Sequence, residues 1–88
     1  MNAPGTRAIR LLLVDCQRPV RRGLKMRFAL EPDLEVVGEA CDATEAISLA
    51  RALRPDVILL DVELPGVGGI ETVEMLRTAT PHSAVVIF

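Results

Sequence analysis

Two acidic residues stand where apolar runs stop. Asp61 follows Val57-Ile58-Leu59-Leu60, with Pro65 and Gly66 soon after, and Asp15 follows the run from Ile9 to Val14, which only Arg10 interrupts. α/β sheets place their chemistry where a buried strand gives way to a loop, at the carboxyl end of the strand. Two such acids on one edge concentrate negative charge and invite a cation. A carboxylate in that setting can attack phosphorus if a divalent cation offsets the mutual repulsion.

The elements that must carry these acids follow from periodicity. Residues 9–14 form a run too short and too branched for a helix, which fits a strand buried on both faces. From Pro19, a good first helical residue, Val20, Leu24 and Phe28 recur at four-residue spacing and mark a helix packed by one face, ending near Glu31-Pro32-Asp33. Residues 34–40 read as a more polar strand suited to a sheet edge. Asp42 with Glu45 three residues later is a capping signal, and Ala46, Ile47, Ala50 and Leu53 give the helical stripe that Arg54-Pro55 stops. Residues 56–60 form a third strand. Gly66, Gly68 and Gly69 make a flexible turn before a third helix opening on Ile70, Val73 and Leu76, and residues 84–88 form a fourth strand. The order β-α-β-α-β-α-β, with right-handed crossovers, gives a parallel sheet with helices on both faces.

Composition bounds the function. The chain has 88 residues, room for one domain, and half are apolar although only Phe28 and Phe88 are aromatic. Ten basic and 12 acidic residues leave a net charge of -2, which gives no electrostatic reason to expect nucleic-acid binding. No apolar run approaches the roughly 20 residues that cross a bilayer, and the N-terminus has no secretory core, so a cytoplasmic setting is expected. Cys16 and Cys41 form neither a staple framework nor a zinc pattern, and in that setting free thiols are expected, with a Cys16–Cys41 disulfide as the lesser alternative because both fall near the same sheet edge. His82 falls in a turn, exposed. Arg18, Arg21, Arg22 and Lys25 share one helix face, read as solvated, with an acidic partner as the alternative.

Taken together, Ile9-Arg10-Leu11-Leu12-Leu13-Val14-Asp15, the stretch from Glu31-Pro32-Asp33 through Gly38-Glu39-Ala40, and Arg54-Pro55-Asp56 through Asp61 to Leu64-Pro65-Gly66 carry a resemblance. The chain resembles the receiver domain of bacterial two-component response regulators of the LuxR/NarL type. The resemblance implies a flavodoxin-like parallel sheet, here incomplete with strand order 2-1-3-4, over residues 8–88 behind a loose tail at 1–7. It implies that Asp61 accepts a phosphoryl group from a histidine kinase or other phosphodonor. It also implies magnesium held by an acid pair after the first strand, by Asp61 and by the backbone carbonyl of Glu63. Carried over, the ligands are Asp15, Asp61 and Glu63.

The chain departs from the pattern at Cys16, where the family usually has a second acid. A thiol is a soft donor and magnesium requires hard oxygens, so magnesium binding is expected to be weak or lost and phosphotransfer impaired. Gly68 replaces an Asp common in the loop. A strand ending on Val85-Val86-Ile87-Phe88 would leave an apolar edge uncovered, so the sequence reads as the front of a longer domain. The Ser or Thr after strand four and the Lys after strand five that the family uses to read the modification do not occur within these residues. A receiver is not itself an enzyme. Two other classes remain in view: a phosphorylation-independent interaction module, whose sheet is completed by a protein partner or a second copy, and a haloacid-dehalogenase-type phosphohydrolase. The last needs a second Asp two positions after its nucleophile, where this chain has Glu63.

Overall fold

The computed structural model describes residues 7–66 and 68–88. Along the chain run β1 (Ile9–Val14), α1 (Arg18–Phe28), β2 (Leu34–Ala40), α2 (Ala43–Leu53), β3 (Val57–Leu60), α3 (Gly69–Ala79) and β4 (Ala84–Ile87). The four strands form one sheet of order β2-β1-β3-β4, all neighbours parallel. This is the expected order. Right-handed crossovers place α1 on one face and α2 and α3 on the other.

Why the strands sit where they do follows from burial. Leu11 through Val14 are all buried, as a central strand covered on both faces requires. Leu12, Val14, Ile58 and Leu60 point to one face and pack with Ala46 and Ala50 of α2 and Leu76 of α3. Alanine on the inward stripe of α2 lets that helix lie close to the sheet. Gly38 serves the same approach, since a Cβ there would fall 2.8 Å from Leu53 Cδ1 and 3.2 Å from Leu12 Cδ1. The β1–β2 register slips between Leu11 and Leu12, so that Leu11 faces Val36 but Leu12 faces Gly38. The polar β2 is an edge strand, as its sequence suggests.

Helix boundaries show local chemistry at work. At the start of α2 the expected capping signal is met, with the return bond one residue early: Glu45 N–H donates to the N-cap Asp42 Oδ1 at 2.8 Å, and the N–H of Cys41, just before the cap, donates to Glu45 Oε1 at 2.7 Å. Arg54, at a left-handed φ of 50°, ends α2 ahead of Pro55. α1 starts at Arg18, one residue before the expected Pro19.

Three expectations about packing are corrected. Val20 is 36% exposed and α1 buries no residue fully, because this helix packs chiefly over the edge strand β2. Ile70 is 72% exposed; the inward positions of α3 are Gly69, Thr72 and Leu76, with Thr72 hiding its hydroxyl in a hydrogen bond to Gly68 O at 2.9 Å. Glycine at 69 is required by closeness, for a Cβ there would come within 2.9 Å of Val62 O. Arg7, expected in a loose tail, pairs with Asp56, while residues 1–6 of that tail lie outside the described residues.

Candidate functional site at the carboxyl rim of the sheet

Both acids are delivered to the same rim by the register of the central strands. Val14 pairs with Leu60, so the residues that follow, Asp15 and Asp61, leave adjacent parallel strands together. The backbone ladder continues one step past the strands: Asp15 N–H donates to Ala40 O at 3.0 Å, and Asp61 N–H donates to Val14 O at 2.9 Å. The loop after β3 is pinned beneath by Leu64, which is 6% exposed and belongs to the core. Such anchoring fixes the segment that carries Asp61 and Glu63.

The two carboxylates differ in burial but not in how they are held. Asp15 is 2% exposed, and its Oδ1 accepts the N–H of Gln17 at 2.8 Å. Asp61 is half-buried, and its Oδ1 accepts the N–H of Glu63 at 2.9 Å. Each acid thus folds its own following turn around one oxygen, and among the described residues no basic side chain forms an ion pair with either. Oδ2 of Asp61 accepts no hydrogen bond among the described residues.

Cys16 does not meet its expectation of a free thiol. Its sulfur is bonded to that of Cys41, across a sequence separation of 25 residues. The reason is the ladder itself: β1 and β2 pair through Val14 and Ala40, and one further step along both chains brings the two cysteines side by side. The sulfur at the position of the family's second acid is therefore uncharged and has a covalent partner.

The donor set can be tested against magnesium, which takes octahedral oxygen ligands and few others. The rim offers two carboxylates, each already accepting a backbone N–H, and a disulfide sulfur in place of a third. Among the described residues no three His, Cys, Asp or Glu side chains are grouped so as to hold a metal ion. Magnesium is usually held by one or two carboxylates with several waters, so Asp15, Asp61 and the Glu63 carbonyl are donors of the right kind, one carboxylate short of the set the resemblance implies.

Arg21, grouped by the sequence with a solvated basic face, reaches the rim. Although it lies on the basic face of α1, its side chain is only 15% exposed; it donates to the backbone carbonyl of Asp15 and, through Nε, to Glu39 Oε1 at 3.2 Å. Lys25 Nζ reaches the other oxygen of Glu39 at 2.9 Å. The Lys25 ammonium and the Arg21 guanidinium hold the Glu39 carboxyl below its usual range, against a partial desolvation that pushes the other way. Part of the basic face is therefore a brace between α1, β2 and the loop of Asp15, which corrects the reading of that whole face as solvated. His82 is exposed, as expected.

Comparison with known proteins comes to the same place. The family model for the response regulator receiver domain matches residues 11–88. The nitrate/nitrite response regulator protein NarL of Escherichia coli K12 is 41% identical over 78 residues, covering 89% of this chain and 36% of that protein. A two-component response regulator of the LuxR family from Aurantimonas sp. SI85-9A1 has a crystal structure that superimposes with a TM-score of 0.86 at 38% identity, over 92% of this chain and 58% of that one. The response regulator domain of Thermotoga maritima CheB superimposes with a TM-score of 0.84, also at 38% identity, over 92% of this chain and 60% of that one. The chain spans about a third of the length of NarL.

Proposed function

The chain belongs to the response regulator receiver domain family, as a receiver of the NarL/LuxR type from two-component signalling, and we propose that Asp61 is its phosphoryl acceptor. The observation that carries this reading is the position of Asp61. It stands at the carboxyl end of β3, in step with Asp15 on β1, with Oδ2 unengaged among the described residues and no cation paired to either acid.

In the proposed reaction, Oδ2 of Asp61 forms a bond to the phosphorus of a histidine kinase phosphohistidine or of a small acyl phosphate. The bond from phosphorus to the donor atom breaks, and the electron pair leaves with the donor. The hydrogen bond from Glu63 N–H holds Oδ1 and so orients Oδ2. Catalysis of a reaction on a separate substrate is not part of the role.

We further propose that this site works poorly. An incoming phosphoryl group is negative, Asp15 and Asp61 are negative, and the position that normally adds a third acid to attract magnesium holds a disulfide sulfur. Magnesium affinity should be weak, and acceptance slow. The test is to incubate the wild-type chain and Cys16→Asp with magnesium and a small acyl phosphate, then map the acid-labile adduct. An adduct on Asp61 that forms on the order of ten-fold faster in Cys16→Asp supports both parts. Equal, rapid labelling of the wild type overturns the impairment, and an adduct on another residue overturns the assignment.

One observation favours a second reading, a phosphorylation-independent interaction module. Val86, Ile87 and Phe88 each remain nearly half exposed along β4, and such an apolar strand is a surface for pairing. Sedimentation that finds a compact monomer at high concentration counts against it.

A further inference from the structure

Cys16 and Cys41 occupy equivalent places in two successive β-to-α turns. Cys16 directly precedes Gln17, the N-cap of α1, and Cys41 directly precedes Asp42, the N-cap of α2. Their Cα atoms are 4.0 Å apart, and the sulfurs are bonded. The backbone imposes this closeness independently of the sulfurs, through the β1–β2 pairing up to Val14 and Ala40 and the Asp15 N–H to Ala40 O bond beyond it. The same backbone pairing keeps the two thiols neighbours when reduced. Cys16 is exposed and Cys41 half-buried, so the bond can be reached by dissolved thiols and disulfides. Accessible disulfides are the exchangeable ones.

We infer that Cys16 and Cys41 form a reversible thiol–disulfide site, a redox modification site at the rim that ties the turn of Asp15 to the start of α2 when oxidised and releases it when reduced. The oxidant is a low-molecular-weight or protein disulfide. The sulfur of one cysteine, its proton passing to solvent, attacks one sulfur of R–S–S–R; the S–S bond breaks, and one thiol leaves. The second cysteine attacks the resulting mixed disulfide at the first cysteine's sulfur and expels the other thiol. Two protein thiols are oxidised, and one external disulfide is reduced to two thiols. Reduction runs the same steps backwards.

The effect falls on Asp15. Its backbone N–H is bonded to Ala40, beside one cysteine, and its carboxylate is held by Gln17 N–H, beside the other. Closing the bond restrains both hydrogen bonds at once. The inference does not depend on Asp61 accepting a phosphoryl group, and its test leaves phosphorylation aside.

The experiment equilibrates the folded chain in a series of glutathione redox buffers, alkylates at each point and counts modified thiols by intact mass. The expected result is one reversible transition between two alkylated cysteines and none, with Cys16→Ser and Cys41→Ser each trapping a single glutathione on the remaining cysteine. Amide hydrogen exchange, read on the same wild-type samples, should slow several-fold at Asp15 and Gln17 in the oxidised form. Two alkylated cysteines at every buffer ratio would show that no bridge forms and would overturn the inference. So would a bridge that resists reduction until the chain is unfolded, or exchange rates at Asp15 and Gln17 that ignore the redox state.

Discussion

β3 carries an aspartate at each end, and the two are treated in opposite ways. Asp56, just before the strand, is tied down completely: its Oδ2 accepts Arg10 N–H at 2.9 Å, its Oδ1 pairs with Arg7, and its backbone exchanges hydrogen bonds with Arg10 and Ala84. Around it, Arg10 Nη1 caps the carbonyl of Arg54 at 3.1 Å, and Ser83 Oγ caps that of Pro55 at 2.6 Å. Asp61, just after the strand, accepts one backbone N–H and has no cation paired to it among the described residues. The amino rim pairs its charges with one another, while at the carboxyl rim neither the buried Asp15 nor the half-buried Asp61 forms an ion pair among the described residues. Residue type alone does not make a site; an acid becomes chemically useful where the fold withholds its counter-charge.

The two rims are also fastened differently: both have hydrogen bonds and ion pairs, and the carboxyl rim adds a covalent bond. The largest expected effect on stability therefore comes from reducing Cys16–Cys41. A bond closing a loop of 25 residues restricts the unfolded chain, so reduction should lower the unfolding free energy by about 3 kcal/mol, read from urea midpoints with and without reductant. A midpoint that does not move would mean that the carboxyl rim is held by its backbone ladder alone. Next comes Asp56→Ala, which strips two charge-assisted hydrogen bonds from the amino rim and should cost about 2 kcal/mol by the same measurement. A neutral result would erase the contrast between the rims. Ser83→Ala, leaving the buried carbonyl of Pro55 without its hydroxyl donor, should cost about 1 kcal/mol.

The smallest effect sharpens the comparison at the brace beneath Asp15. Glu39 has a folded pKa held below its ordinary value of 4.5, chiefly by Lys25 and also by Arg21. Its contribution to stability is thus fully present above that ordinary value and is lost as pH falls through the lower, folded value. Because the pair with Lys25 is well exposed, Glu39→Gln should cost no more than about 0.5 kcal/mol near pH 7, with the gap from wild type closing as pH falls below 4.5. A gap that instead widened in acid would show that Glu39 is not paired as described.

How far these features could be read from the sequence depended on how local their causes were. The strands of β1 and β3, the Asp42–Glu45 box and the stop at Arg54-Pro55 rest on neighbours within a few residues, and they stand where the pattern put them. So did the placing of Asp15 and Asp61 at one rim, because two parallel strands with matched apolar runs leave little choice of register. The outward Ile70 was hidden because Gly69 and Thr72 carry the inward face of α3, and neither is a hydrophobic marker. Arg21 looked like one of four surface cations until β2 placed Glu39 opposite it. The cysteine pair was legible only as the lesser alternative: both residues fall near one sheet edge, but 25 residues separate them along the chain, and it is the β1–β2 ladder that makes them neighbours.

The most direct test of the account compares the two ends of β3 in one labelling experiment. Wild type, Asp61→Asn and Asp56→Asn are each incubated with a small acyl phosphate and magnesium, and acid-labile phosphate is mapped by mass spectrometry. The account predicts slow labelling at Asp61 in the wild type and in Asp56→Asn, and none in Asp61→Asn, whose stability should stay within about 0.5 kcal/mol of wild type. Labelling that persists in a folded Asp61→Asn, or that vanishes in a folded Asp56→Asn, would contradict it.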